Sequence, residues 1–230
     1  MSHIYITGDT HGDIDFIKLH YFAGENPQLT FTDYMIVCGD FGGVWSNRTL
    51  CADLKRYKEL NYTILFVDGN HENFDILNSY PVKNWHGGKI HRIAPNIIHL
   101  MRGQVYNIDG KKFFTFGGGT SVDKMYRKEG VSWWKQEMPS SEEIEEAHRN
   151  LSNNSYEVDY IITHSCDERA LYYKPLTKCY KSKHVYPDNV MLNQFEEQVK
   201  YHHWYFGHYH LNGDLSNKKT VLYDEIRKIK

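Results

Sequence analysis

Five short apolar runs in this chain each end in a polar cluster, and that repetition narrows the folds open to it. Asp9-Thr10-His11 follows residues 3–7, Gly39-Asp40 follows 34–38, and Gly69-Asn70-His71-Glu72 follows 62–67. Thr163-His164 closes 159–164, and Gly207-His208-Tyr209-His210 follows the run that begins at 203. The runs are brief, β-branched and aromatic, which marks them as buried strands rather than helices. Helix-like segments separate the first three, giving the rhythm of an α/β sheet with crossovers. In such sheets ligands are held outside the carboxyl ends of the strands. All five clusters are expected to gather at that edge.

The rest of the chain is expected to complete this frame. Ile14, Phe16, Ile17 and Tyr21 form the apolar stripe of a helix, and Ser46 is placed to cap a second helix ending near Leu60. Residues 89–119 carry several β-like runs with Asp109-Gly110 as a hairpin turn, so this part reads as antiparallel. Residues 117–138 lack a clear period and read as a loop. Ser140 with Glu143 is a capping box that opens the next helix. A further helix over about 188–201 and a final strand over 219–226 follow. No repeat or composition shift divides the chain, so residues 1–230 are read as a single domain.

Charge and cysteine usage remove several function classes. The net charge is −2, from 27 basic and 29 acidic residues, so nucleic acid as a partner has no polybasic support. The chain opens without a secretory pattern, and no run reaches the ~18 apolar residues of a membrane span, so the expectation is no membrane and a cytoplasmic location. Cys38, Cys51, Cys166 and Cys179 are scattered with no Cys-x-x-Cys pair, against a zinc knuckle or a disulfide framework. Glu142, Glu143, Glu145 and Glu146 read as a solvated helix face, and His86, His91, His99, His202 and His203 as structural residues.

Together the strand ends offer two carboxylates, one amide oxygen and four imidazoles: Asp9, Asp40, Asn70, His11, His164, His208 and His210. That is too many donors for one ion. Oxygen plus imidazole without thiolate suits Mn²⁺, Fe or Zn²⁺, with Mn²⁺ the leading expectation. Two divalent ions against two carboxylates leave the centre at about +2, a charge that attracts a phosphate ester. Asp9 and His11, like His208 and His210, are two residues apart and in extended backbone project to one side.

GDTHG (8–12), GDFGG (39–43), GNHE (69–72), TH (163–164) and GHYH (207–210) resemble the signature blocks of the calcineurin-like metallophosphoesterases. The resemblance implies a four-layer α/β/β/α sandwich of two mixed sheets flanked by helices. It further implies that Asp9, His11 and His210 hold one metal, that Asn70, His164 and His208 hold the other, and that Asp40 bridges them. His71 would be the proton donor to the leaving oxygen, and the attacking group a hydroxide bridging the metals. The substrate implied is a small-molecule or nucleotide phosphoester, as monoester or diester. The rivals are a phosphoprotein phosphatase and a non-catalytic scaffold of the same fold.

One departure weakens the phosphatase rival. Where that branch has an Asp-Arg pair this chain has Val44 and Trp45, and Asp68 replaces the Arg ahead of the GNHE block. The acid partner of His71 and the phosphate clamp are thus missing from their usual places. Arg127 is the candidate replacement clamp, with Trp133 or Trp134 as a stacking wall; the alternative is an exposed Arg with two Trp covering a core edge. The Tyr- and Lys-rich insert at 171–187 is read as a lid beside the site, or else a plain surface loop.

Overall fold

The computed structural model describes residues 2–46, 50–179, 183–216 and 218–229. The first third of the chain alternates β1 (Ile4–Thr7), α1 (Ile17–Glu25), β2 (Tyr34–Val37), α2 (Leu50–Lys58), β3 (Thr63–Phe66) and the one-turn α3 (Phe74–Leu77). The middle supplies β4 (Val82–Trp85), β5 (Gly88–Ala94), β6 (Ile97–Leu100), β7 (Gln104–Ile108) and β8 (Lys111–Phe116). After α4 (Ser141–Asn153) come β9 (Tyr160–Thr163), α5 (Pro187–Gln198), β10 (His203–Phe206), β11 (Gly213–Ser216), β12 (Lys219–Val221) and β13 (Ile226–Ile229).

These strands form two mixed sheets, ordered β13-β1-β2-β3-β6-β5-β4 and β11-β12-β10-β9-β8-β7. Within the first, β1, β2, β3 and β6 pair in parallel. Within the second, β12, β10, β9 and β8 do. Alternation along the strands separates the core into layers. Met35 and Val37 pack with Phe16, Leu19 and Tyr57 beneath α1 and α2. Ile36, between them, joins Leu65, Phe113 and Ile162 in the space between the sheets. Phe114 and Phe116 face the other way, onto Leu151 of α4 and Phe195 of α5. The molecule is thus a four-layer α/β/β/α sandwich with both sheets buried on two faces, which explains strands that read as continuous apolar runs.

Local chemistry fixes several joints. Asp109 and Gly110, both with positive φ (51° and 79°), turn β7 into β8. Ser140 Oγ accepts the Glu143 N–H at 3.2 Å while the Glu143 carboxylate accepts the Ser140 N–H at 2.8 Å, completing the capping box. Other expectations need correction. Phe16 is buried as expected, at the N-cap of α1, but Ile14, Ile17 and Tyr21 are exposed and α1 buries Leu19 instead, because the helix starts at Ile17 and turns that face to β2. Residues 47–49, where the Ser46 cap would act, lie outside the described residues. The middle segment is not purely antiparallel, since β6 pairs in parallel with β3. The single final strand is two: β12 closes the second sheet, and the chain then crosses to lay β13 against β1. Among the described residues, no helix is long and apolar enough to cross a membrane.

Candidate metal centre

β1, β2 and β3 of one sheet and β8, β9 and β10 of the other end at the same edge, and the five polar clusters meet there. Asp9, Asp40, Asn70, His164 and His208 are buried, with His11 and His210 partly open. The turns that carry them are left-handed: His11, Asp40, His208 and His210 have φ of 42°, 47°, 68° and 52°. Non-glycine residues adopt such values rarely, and they collect at functional sites. The i and i+2 side chains therefore converge through tight turns, not through the extended backbone that the spacing suggests. Two glycines allow the close approach. A Cβ on Gly69 would lie 2.1 Å from Asp40 Oδ1, and one on Gly207 would lie 2.2 Å from Asp9 Oδ1.

Hydrogen bonds outside the centre aim each donor inward. The His164 Nδ1–H is placed to donate to the Cys38 carbonyl at 2.9 Å, which leaves Nε2 facing the centre. The Asn70 amide nitrogen donates to Ser121 Oγ at 3.2 Å, and Ser121 donates to Glu137 at 2.6 Å, so the Asn70 oxygen points in. Asp40 Oδ1 accepts the His71 N–H at 2.6 Å and Asp9 Oδ1 accepts the His208 N–H at 2.9 Å. Glu72 ties the β3 loop to the β2 loop by accepting the Phe41 N–H at 2.6 Å.

The second oxygens of both carboxylates, Asp9 Oδ2 and Asp40 Oδ2, are buried with no hydrogen-bond partner. Such orphaned charge is costly unless a cation compensates it. Donor spacing agrees. Groups sharing a cation at about 2.1 Å sit roughly 3.0–3.4 Å apart. His164 Nε2 lies 3.1 Å from Asn70 Oδ1, 3.2 Å from His208 Nδ1 and 3.4 Å from Asp40 Oδ1. On the other side, Asp9 Oδ2 lies 3.2 Å from His210 Nε2, and Asp40 Oδ2 lies 3.3 Å from His11 Nε2. Asp9, His11 and His210 form one three-donor group, and Asp9, Asp40 and His164 another. Asp40 thus presents one oxygen to each half. Despite burial, the Asp40, Asp9 and Asp15 carboxylates hold the His11 imidazole up at about 9. Burial alone would raise the Asp40 carboxyl, yet the surrounding histidines, His164 foremost, keep it well below its ordinary value.

A supporting network was not legible in the sequence. His11 Nδ1 lies 2.7 Å from Asp15 Oδ2, the Tyr223 hydroxyl donates to Asp15 Oδ1 at 3.0 Å, and the Tyr223 ring stacks on His210 at 4.6 Å and 11°. One tyrosine at the crossing from β12 to β13 thereby steadies both histidines of one half. Removing the carboxylate that orients a ligating histidine costs about 10–100-fold in metal affinity. Asp15→Ala is expected to raise by that factor the Mn²⁺ concentration giving half-maximal thermal stabilisation. An unchanged midpoint would show Asp15 to be mere surface.

His71 faces the centre from the β3 loop, and its ring neighbour is Arg127, not an acid. Arg127 Nη2 lies 2.8 Å from His71 Nε2, and the guanidinium is steadied by Asp123 at 2.8 Å and the Ser132 carbonyl at 3.3 Å. Burial first, and then the charge of Arg127, outweighs the pull of Asp40 and lowers the imidazole to about 4. Trp133 does not line the cleft beside His71. Lys124 covers its ring at 3.9 Å, Trp134 is buried with its N–H on Asp75 at 2.8 Å, and the tryptophan on the cleft wall is Trp45. The 171–187 insert buries Leu171 and Leu176 in the core while exposing Tyr172 and Tyr173, and 180–182 lie outside the described residues.

The sequence model of the family described as calcineurin-like phosphoesterase matches residues 2–212. One solved chain superposes with a TM-score of 0.50 at 12 % identity, covering 96 % of this chain and 89 % of its own. A Staphylococcus aureus protein named as a candidate 5′-nucleotidase, solved with α-ketoglutarate, gives a TM-score of 0.50 at 16 % identity over 96 % of this chain and 48 % of that one. At these identities the likeness is one of fold, and this chain spans about half of the S. aureus protein. No curated protein matches the sequence with significance.

Proposed function

Because this chain belongs to the calcineurin-like phosphoesterase family, we propose that it hydrolyses small-molecule phosphoesters at a pair of divalent cations held by Asp9, His11, Asp40, Asn70, His164, His208 and His210. The observation that carries this reading is the pair of buried carboxylate oxygens with no hydrogen-bond partner, each facing an imidazole nitrogen at the spacing a shared cation requires. Mn²⁺ is the proposed ion, given oxygen and imidazole donors without thiolate. When bound, the cations supply the positive charge and Lewis acidity for attack on phosphorus.

The chain's own residues do the rest. Asp40 joins the halves and fixes their separation. Arg127 is within reach of the same space as His71, and its forked guanidinium suits two phosphoryl oxygens. Once the guanidinium is on the phosphate, the His71 nitrogen it faced is open to take a proton from solvent and pass it to the departing oxygen, a role that contributes ~10²–10⁴-fold where it operates. A phosphoprotein phosphatase reading gains nothing from the site, since the Asp-Arg pair of that branch is not present after the Gly39-Asp40 block and Arg127, not an acid, is the hydrogen-bonding neighbour of the His71 ring. A scaffold that had lost chemistry would have no reason to keep the full donor set crowded and buried.

The experiment is Mn²⁺-dependent turnover of p-nitrophenyl phosphate against bis(p-nitrophenyl) phosphate. Turnover of either is expected, and the preferred ester assigns monoester or diester chemistry. Protein that binds Mn²⁺ and turns over neither would transfer the assignment to the scaffold.

A further inference from the structure

The cleft beside His71 has walls that hydrolysis itself does not use. It holds about 340 Å³ and is lined by His11 and His71 together with Trp45, Ile14, Gly12, Gly42 and Asp13. That volume is at the small end of ligand pockets. Ile14 is 78 % exposed, an apolar side chain kept in water beside a phosphate centre. Trp45 is held for use: its ring meets Trp134 edge-on at 5.7 Å and 86°, and Asn73 donates to its carbonyl at 2.8 Å. Trp134 in turn is 3 % exposed and hydrogen-bonded to Asp75. A ring fixed in this way loses little freedom when a ligand stacks on it.

Among the described residues, Asp13 is the carboxylate on the cleft lining, and it is paired with Arg56 at 2.9 Å on the rim. The flat faces of Gly12 and Gly42, whose loops touch backbone to backbone through a Gly12 N–H to Phe41 carbonyl bond of 2.9 Å, leave room for a planar group.

We infer that this cleft seats the leaving alcohol of the phosphoester, that it selects an alcohol bearing an aromatic ring, and that Trp45 is the side chain that makes the selection. The inference rests on the phosphoesterase reading, and binding separates the two. Benzylphosphonate and methylphosphonate, which cannot be hydrolysed at the P–C bond, are titrated calorimetrically into the Mn²⁺-loaded protein. The benzyl compound is expected to bind about tenfold more tightly, the scale of one stacked ring. In Trp45→Ala that ratio falls toward one, and in Trp45→Phe, which keeps a ring and guards against a folding defect, most of it returns. Equal binding of the two compounds by the wild type, or an undiminished ratio in Trp45→Ala, overturns the assignment. Turnover of benzyl phosphate by the same protein reports on hydrolysis alone: a ring preference without turnover keeps the cleft and discards the hydrolase.

Discussion

Asp40→Asn is expected to lower Mn²⁺-dependent turnover of the preferred p-nitrophenyl ester by about 10³-fold, the upper range for losing one preorganised electrostatic group. The substitution is nearly isosteric. Its remaining amide oxygen can still accept the His71 N–H that Asp40 Oδ1 holds at 2.6 Å, so the β3 loop keeps its place. What changes is Oδ2, the buried oxygen with no hydrogen-bond partner, 3.3 Å from His11 Nε2. An amide there is neutral and cannot serve both halves of the centre. A second readout follows by linkage, because a ligand that binds only the folded state raises its stability. Added Mn²⁺ should raise the wild-type melting temperature and leave Asp40→Asn nearly unmoved. Retention of more than a tenth of the activity would mean that the shared carboxylate is dispensable, and the two-cation reading would fail with it.

The frame and the gathering of the five clusters at one sheet edge were readable because both rest on local signals. Each of the five clusters directly follows a strand, and a parallel strand delivers its carboxyl end to a predictable edge. The Ser140 capping box and the Asp109-Gly110 turn are likewise short-range devices, complete within four residues. What escaped depends on distance along the chain. Tyr223 reaches Asp15 across 208 residues, and only the crossing from β12 to β13 puts it over His210. No periodicity announces that crossing, since strands of three and four residues are too short to show one. Ile14 misled for a related reason: apolar spacing says nothing about where a helix begins, and a start at Ile17 leaves Ile14 on the cleft. Trp45 follows the Gly39-Asp40 block closely in sequence, but its orientation is set by Trp134, 89 residues further on. The left-handed turns at His11, His208 and His210 were hidden as well, because histidine does not advertise positive φ as glycine does.

Asp68→Ala is expected to be among the most destabilising single substitutions, at roughly 3–5 kcal/mol, because it strands a buried guanidinium. Asp68 and Arg102 are 1 % and 6 % exposed, and Arg102 Nε donates to the Asp68 carboxylate at 2.8 Å. His99 Nε2 lies 3.1 Å from the other oxygen, and Arg102 also donates to the Gln136 carbonyl at 2.7 Å and to Glu143 at 3.1 Å. This residue, which replaces the arginine of the related branch, therefore anchors the loop that carries Arg127 and Trp134 to the sheet that carries Asn70. For a chain of this size the loss corresponds to roughly 6–20 °C in melting temperature. If the cost is stranded charge rather than lost volume, Asp68→Leu combined with Arg102→Met should recover most of it, while Arg102→Met alone should not. The dependence on pH follows from the carboxyl's shift. Burial would raise its pKa, but Arg102 and His99 bring it well below the ordinary 3.8. A depressed carboxyl adds stability that is complete above its unfolded value and is lost as pH falls toward the folded one. The melting-temperature gap between wild type and Asp68→Ala should hold steady near neutrality and narrow below about pH 4. A gap that stayed constant down to about pH 2 would show that the pair contributes through packing and not through charge.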